Sequence, residues 1–177
     1  MEVGSRSSCS PLVCLSAMRE DAPSLLHGEA RKKAQAVASA CVLFEEYAQT
    51  VIGKLPLKPG PSEILLHGHC HQKSMGLLAP AKSLLGSIPG AVVVDLDAGC
   101  CGMAGSFGYA AAHFDVSRAI GERKLLPAVR NKKPGTVVVA AGTSCRHQVK
   151  DFTGERAIHP AVLIRSLLDI ADFKRTE

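Results

Sequence analysis

The stretch Gly99-Cys100-Cys101-Gly102-Met103-Ala104-Gly105-Ser106-Phe107-Gly108 follows directly on an apolar run, Ala91 to Leu96. A short apolar run bounded by turn residues reads as a buried strand, which makes the quoted residues the loop at its C-terminal end. Two adjacent thiols cannot close an ordinary disulfide with each other without strain. Each looks elsewhere for a partner, and a shared inorganic centre is the most economical one. The interleaved glycines let the backbone take positive φ and approach a bulky group closely. The loop therefore reads as a cradle.

Two more apolar runs, Glu63 to Gly68 and Thr136 to Ala141, read as strands of the same kind. Between the three lie segments of helix-forming composition. Lys73 to Ile88 is expected as two short helices, because Pro80 is comfortable only in a first turn; Phe107 to Arg130 is expected as one longer helix. Alternating strands and helices imply an α/β fold, a small mostly parallel sheet flanked by helices. Upstream, a short helix over Leu15 to Leu26 is expected to break at Pro23. A long helix is expected over Glu29 to Gly53, where Ala34, Val37, Ala38, Cys41, Val42, Phe44 and Ala48 keep a 3.6-residue apolar stripe. Pro56, Pro59 and Pro61 then make a stiff connection. Ala161 to Asp172 reads as a closing amphipathic helix, and residues 1–10 as a polar, disordered tail.

Each of the three strands is followed closely by cysteine: Cys70 after the first, Cys100 and Cys101 after the second, Cys145 after the third. Strand C-terminal ends share one edge of a parallel sheet, where ligands bind. Four thiols from distant parts of the chain are thus expected to converge. A [4Fe-4S] cluster takes four thiolates; a structural zinc takes four Cys or a Cys/His mixture. The chain has no C-x2-C knuckle, and adjacent cysteines address different irons of a cluster more easily than one tetrahedral ion. The cluster is favoured, with zinc kept open.

Composition bounds the rest. The 177 residues suffice for one core. With 46% hydrophobic but only 4% aromatic residues and no Trp, the chain suits an aliphatic α/β core and lacks base-stacking platforms, so no nucleic acid is expected as a partner. The net charge of +5 is densest from Arg118 to Lys133, which reads as a solvated face. Seven irregularly spaced cysteines point to a reducing, cytoplasmic setting. No run reaches the roughly 18 to 20 apolar residues of a membrane span. The glycine spacing lacks the G-x-G-x-x-G of a nucleotide loop.

His69-Cys70-His71-Gln72-Lys73, then Asp97 to Tyr109, then Gly142-Thr143-Ser144-Cys145-Arg146-His147-Gln148 resemble the cysteine-rich CCG domain. That domain occurs in heterodisulfide reductase and in the iron-sulfur part of FAD-linked 2-hydroxyacid dehydrogenases such as D-lactate and glycolate oxidases. Ile120-Gly121-Glu122-Arg123 and His159-Pro160 fit the same pattern. The resemblance implies Cys70, Cys100, Cys101 and Cys145 as metal ligands, and Gly99, Gly102, Gly105, His69, His71 and Lys73 as the surroundings of the cofactor. Gly142 stands where the family's general pattern has a further cysteine, which favours a cubane [4Fe-4S] cluster. Pro11-Leu12-Val13-Cys14 looks like the tail of a preceding repeat. Residues 11–60 are then a repeat remnant plus linker, and 61–177 the CCG iron-sulfur domain.

The function implied is electron transfer, as a fragment or subunit, from a flavin toward a quinone or cytochrome. FAD would sit on a missing domain or a partner flavoprotein, with ferredoxin-like modules beside it and peripheral membrane association through the acceptor. A thiol-disulfide reductase resembling the heterodisulfide enzyme, and a zinc-bound or metal-free structural remnant, are the alternatives. His67, His69 and His71 alternate, so an extended backbone would point all three to one face, opposite Cys70.

Overall fold

The computed structural model describes residues 7–9 and 12–169. In chain order these form β1 (Ser7–Cys9), α1 (Leu12–Ser16), a π turn (Ala17–Asp21), α2 (Ala22–Leu25), α3 (Gly28–Ala40), β2 (Cys41–Leu43) and α4 (Phe44–Val51). Then come β3 (Glu63–His67), α5 (Cys70–Ser74), α6 (Leu78–Gly86), β4 (Val92–Asp95), α7 (Phe114–Glu122), α8 (Leu125–Arg130), β5 (Val137–Ala140), α9 (Thr143–Thr153), β6 (Ala157–Ile158) and α10 (Pro160–Leu167).

The three expected strands are β3, β4 and β5, and the sheet they build runs β4-β3-β5-β6 with every pairing parallel. Alternation sorts their side chains onto two faces. Leu65, Val138 and Ala140 pack with Leu125, Leu126, Val129 and Val149 of α8 and α9. Ile64, Leu66 and Val139 pack with Leu84 and Leu85 of α6 and with Leu163 and Ile164 of α10. Each fully buried aliphatic side chain contributes about 1.5–3 kcal/mol, so these two layers carry the fold. The mixed α/β architecture is the expected one. Among the described residues no helix is long and apolar enough to cross a membrane.

Five expected elements differ. The helix over Glu29 to Gly53 is interrupted by β2, which pairs in parallel with β1. Arg19 pins the break by donating from Nε and Nη2 to the Cys41 carbonyl at 2.9 and 2.6 Å. The Leu43 N–H donates to Glu46 Oε2 at 2.7 Å, which caps α4 and restarts the helix. A short apolar run serves a strand as well as a helix stripe, and tertiary pairing decides. The tail expected over residues 1–10 contains β1; the rest of it lies outside the described residues.

Helix also continues through Pro23, which sits in the first turn of α2, where its missing N–H is not needed. The single helix expected over Phe107 to Arg130 is two 3-10 turns, Phe107–Tyr109 and Ala111–His113, followed by α7 and α8. Pro127 is the reason for the last division. It cannot donate to residue 123, so the helix restarts with the proline in its first turn. The closing helix ends at Leu167; Leu168 bridges back to Leu57, and residues 170–172 lie outside the described residues.

Glu45, on the core-facing stripe of α4 with Ala48 and Ile52, is 2% exposed, and its Oε1 has no hydrogen-bond partner. A first-turn position favours the anion, yet burial dominates and raises its pKa above the usual carboxylate value. A raised folded-state pKa stabilises below the unfolded value of 4.5 and loses that contribution as pH climbs through the folded one. Glu45→Gln is therefore expected to stabilise the protein by about 1–2 kcal/mol at pH 7. Urea midpoints at pH 7 and pH 4 check this, with the gain confined to pH 7.

Candidate metal-thiolate site

The chain leaves β3 for β4 on one side of it and then returns to β5 on the other. The loops after β3 and β5 part at this point and open a crevice at the strand ends. His67 is the last residue of β3, paired with Ala140 of β5. Cys145 lies in the first turn of α9, and Cys101 comes in on the loop from β4. One ligand atom from each of His67, Cys101 and Cys145 lies within 4.8 Å of the other two, and all three residues are buried. His67 is 1% exposed, and neither of its ring nitrogens has a hydrogen-bond partner. A buried imidazole with both nitrogens idle is costly. The orphaned nitrogens and the soft donor set fit a thiolate-bound metal group.

The other two candidate thiols stand around this core. Cys100 is half-buried, and its sulfur accepts from the Gly102 N–H at 3.3 Å. Cys70, the first residue of α5, is exposed. Burial, then the charge of Cys100, pushes the Cys70 thiol up. A hydrogen bond from the Cys145 thiol draws Cys101 down to about 4 against its burial, with the Met103 N–H assisting. The same hydrogen bond, burial and the charges of Cys101, Cys70 and Cys100 push Cys145 up.

Gly102 has φ +100°, and a Cβ there would stand 2.2 Å from the Ser117 carbonyl oxygen of α7. The cradle is thus closed by backbone pressed against α7, and only glycine permits it. Gly99 and Gly105 also take positive φ, with open space around them.

The three histidines do not share a face, because the strand ends at His67 and a helix begins at Cys70. His69 caps that helix, its Nδ1 accepting from the His71 N–H at 3.2 Å. His71 turns toward α1, with Nδ1 3.1 Å from Ser16 Oγ. His67, at the very end of the strand, is the one that lies with Cys101 and Cys145, while His69 Nδ1 lies 3.8 Å from Cys70 Sγ; strand-end position was the signal in the sequence. Lys73 lies 3.6 Å from Asp97 Oδ1, an ion pair that ties α5 to the loop after β4. Sequence reasoning also missed Tyr109, whose hydroxyl lies 2.6 Å from His147 Nδ1. Gln148, quoted only as part of the motif, donates to Ser117 O and Oγ at 3.1 and 3.2 Å and locks α9 to α7 behind the loop.

His159 repeats the capping device at the next strand end, its Nδ1 accepting from the Ala161 N–H at 3.1 Å. Burial, with the Arg146 charge second, holds its pKa down to about 4. A depressed pKa in a base means that its contribution is present above about 6.5 and is lost as pH falls toward 4. We expect the melting temperature to drop across that window, and a His159→Asn variant, which keeps a capping acceptor, to show a smaller drop.

No family model matches the chain, and no solved structure matches it. Over 116 residues it is 34% identical to a subunit of the anaerobic glycerol-3-phosphate dehydrogenase of Escherichia coli K12, covering 64% of this chain and 28% of that one. Over 104 residues it is 35% identical to D-2-hydroxyglutarate dehydrogenase of the same organism, covering 58% of this chain and 10% of that one. The chain is similar to parts of two dehydrogenases. D-2-hydroxyglutarate dehydrogenase of Pseudomonas putida gives 39% identity over 66 residues, 37% of this chain and 6% of the relative. The chain thus spans little more than a quarter of the length of the first of these relatives and a tenth or less of the others.

Proposed function

We propose that the chain is an iron-sulfur electron-transfer segment of a larger FAD-linked 2-hydroxyacid dehydrogenase, with a [4Fe-4S] cluster held by Cys70, Cys100, Cys101 and Cys145. The observation that carries the reading is the buried meeting of Cys101, Cys145 and the orphaned His67 at the sheet's switch point. Similarity to D-2-hydroxyglutarate dehydrogenase supports the 2-hydroxy acid as substrate of the whole enzyme. A bound cluster would supply one-electron transfer between a two-electron flavin elsewhere and a quinone or cytochrome. The chain's own part is positional. Burial of Cys101 and Cys145 keeps water from the sulfurs, and the Gly102 N–H on Cys100 would withdraw charge from a bound cluster and raise its reduction potential.

A disulfide reductase needs one thiol that is both exposed and acidic. Here the acidic one, Cys101, is 4% exposed, and the exposed one, Cys70, is pushed up. The separation of no more than 4.8 Å among His67, Cys101 and Cys145 favours one other reading, a single zinc ion on these three and a fourth thiolate. Electron paramagnetic resonance of anaerobically purified protein after dithionite reduction tests the proposal. A reduced-cluster signal that vanishes on reoxidation is expected; a silent, colourless, zinc-containing protein would support the ion instead.

A further inference from the structure

Beside the thiol crevice lies a cavity of about 360 Å³, lined by Leu12, Val13 and Ala141, by His69 and Gly142, and by α9 from its first residues to His147. We propose that this cavity binds a small organic carboxylate, its head on His69 Nε2 and the N-terminus of α9 and its hydrocarbon body against Leu12 and Val13. It uses none of the four cysteines, so it stands whether the neighbouring crevice holds iron, zinc or nothing.

Two independent observations place the head group. The first is α9 itself, eleven residues long, whose N-cap is Gly142 and receives no side-chain cap. Its first backbone N–H groups face outward unsatisfied, with the helix dipole behind them. The second is His69, 7% exposed. Its Nδ1 already accepts the His71 N–H, so in the neutral ring the proton sits on Nε2. That nitrogen has no partner among the described residues. It belongs to the ring edge turned toward Gly142, where a Cβ would lie 2.2 Å from His69 Cδ2 and 3.1 Å from Nε2. Glycine at 142 therefore lets the imidazole edge pack directly against the start of α9, which brings Nε2 beside the helix N-terminus. Thr143 adds a hydroxyl: its Oγ1 accepts from Arg146 Nη2 at 3.1 Å, which leaves its own O–H free to donate.

The charge of the ligand follows from what is missing. No lysine or arginine lines the cavity. The guanidinium of Arg146, on the same helix, is spent on the carbonyls of Ala140 and Ala141 at 3.0 and 2.7 Å. A phosphate dianion would meet only the imidazoles of His69 and His147 and no fixed positive charge, whereas a carboxylate needs only the convergent N–H and O–H donors. The apolar wall has no use for an inorganic ion and suits a short alkyl chain.

Calorimetric titration of the purified, metal-containing protein with butyrate, and separately with inorganic phosphate, tests this. Saturable butyrate binding is expected. His69→Asn, which keeps a capping acceptor but whose shorter amide leaves the Nε2 position without a donor, should weaken it by about tenfold or more. Val13→Trp, at an exposed position of α1, should fill the apolar half and abolish it. The proposal is overturned by the absence of saturable butyrate binding, by unchanged affinity in Val13→Trp or in folded His69→Asn, or by binding of phosphate in preference to butyrate.

Discussion

Cys101→Ser and Cys145→Ser are each expected to lose nearly all bound metal, whereas Cys14→Ser keeps the parental content. Cys101 and Cys145 are 4% and 2% exposed, and the first influence on each thiol is the other. Serine offers a hard, poorly ionising hydroxyl in place of a soft thiolate, and no described group besides His67 completes the set found around them. Cys70→Ser and Cys100→Ser, at the more exposed rim, should lose metal less completely or more slowly. Metal analysis and visible absorbance of the variants, purified in parallel without oxygen, check the order. Full metal retention in Cys145→Ser would remove that residue from the site.

The second large effect is Gly102→Ala. A side chain at φ +100° is strained, and its Cβ would lie 2.2 Å from a backbone oxygen of α7, which cannot swing aside as a side chain can. Either the loop or the helix must move. We expect a loss of about 3–5 kcal/mol, read as a fall in melting temperature of roughly 6–20 °C. Metal loss should accompany it, because the loop that moves carries Cys100 and Cys101. Gly99→Ala is the control: φ there is also positive, but nothing lies within 4 Å, so strain acts without collision and the loss should be smaller.

The parts of this fold that were legible are those where local sequence and tertiary demand agree. β3, β4 and β5 are apolar runs bounded by turn residues, and no competing helix pattern covers them. β2 was hidden because Cys41, Val42 and Leu43 prolong a helical stripe, and only its pairing with β1 and the grip of Arg19 on the Cys41 carbonyl reveal it. β6 is two residues long and too short to carry a pattern. The divided helices α7 and α8 were signalled by Pro127, whose weight as a breaker was not applied. At the site, the crowding of cysteines at strand ends was legible because strand ends are, and it pointed to the edge of the sheet where Cys101, Cys145 and His67 meet. The choice among His67, His69 and His71 was not, because the backbone changes from strand to helix inside that run and the side-chain period changes with it. The division of the thiols into two buried and two more exposed also follows from packing by α7 and α9, which no local pattern encodes.

Iron and acid-labile sulfide per chain, measured on protein purified without oxygen, tests most directly whether these sulfurs hold a cluster. About four of each are expected, released together when the Cys145 position is changed to serine. One zinc per chain with no sulfide, or a metal-free protein whose cysteines all react at once with iodoacetamide, would contradict the cluster.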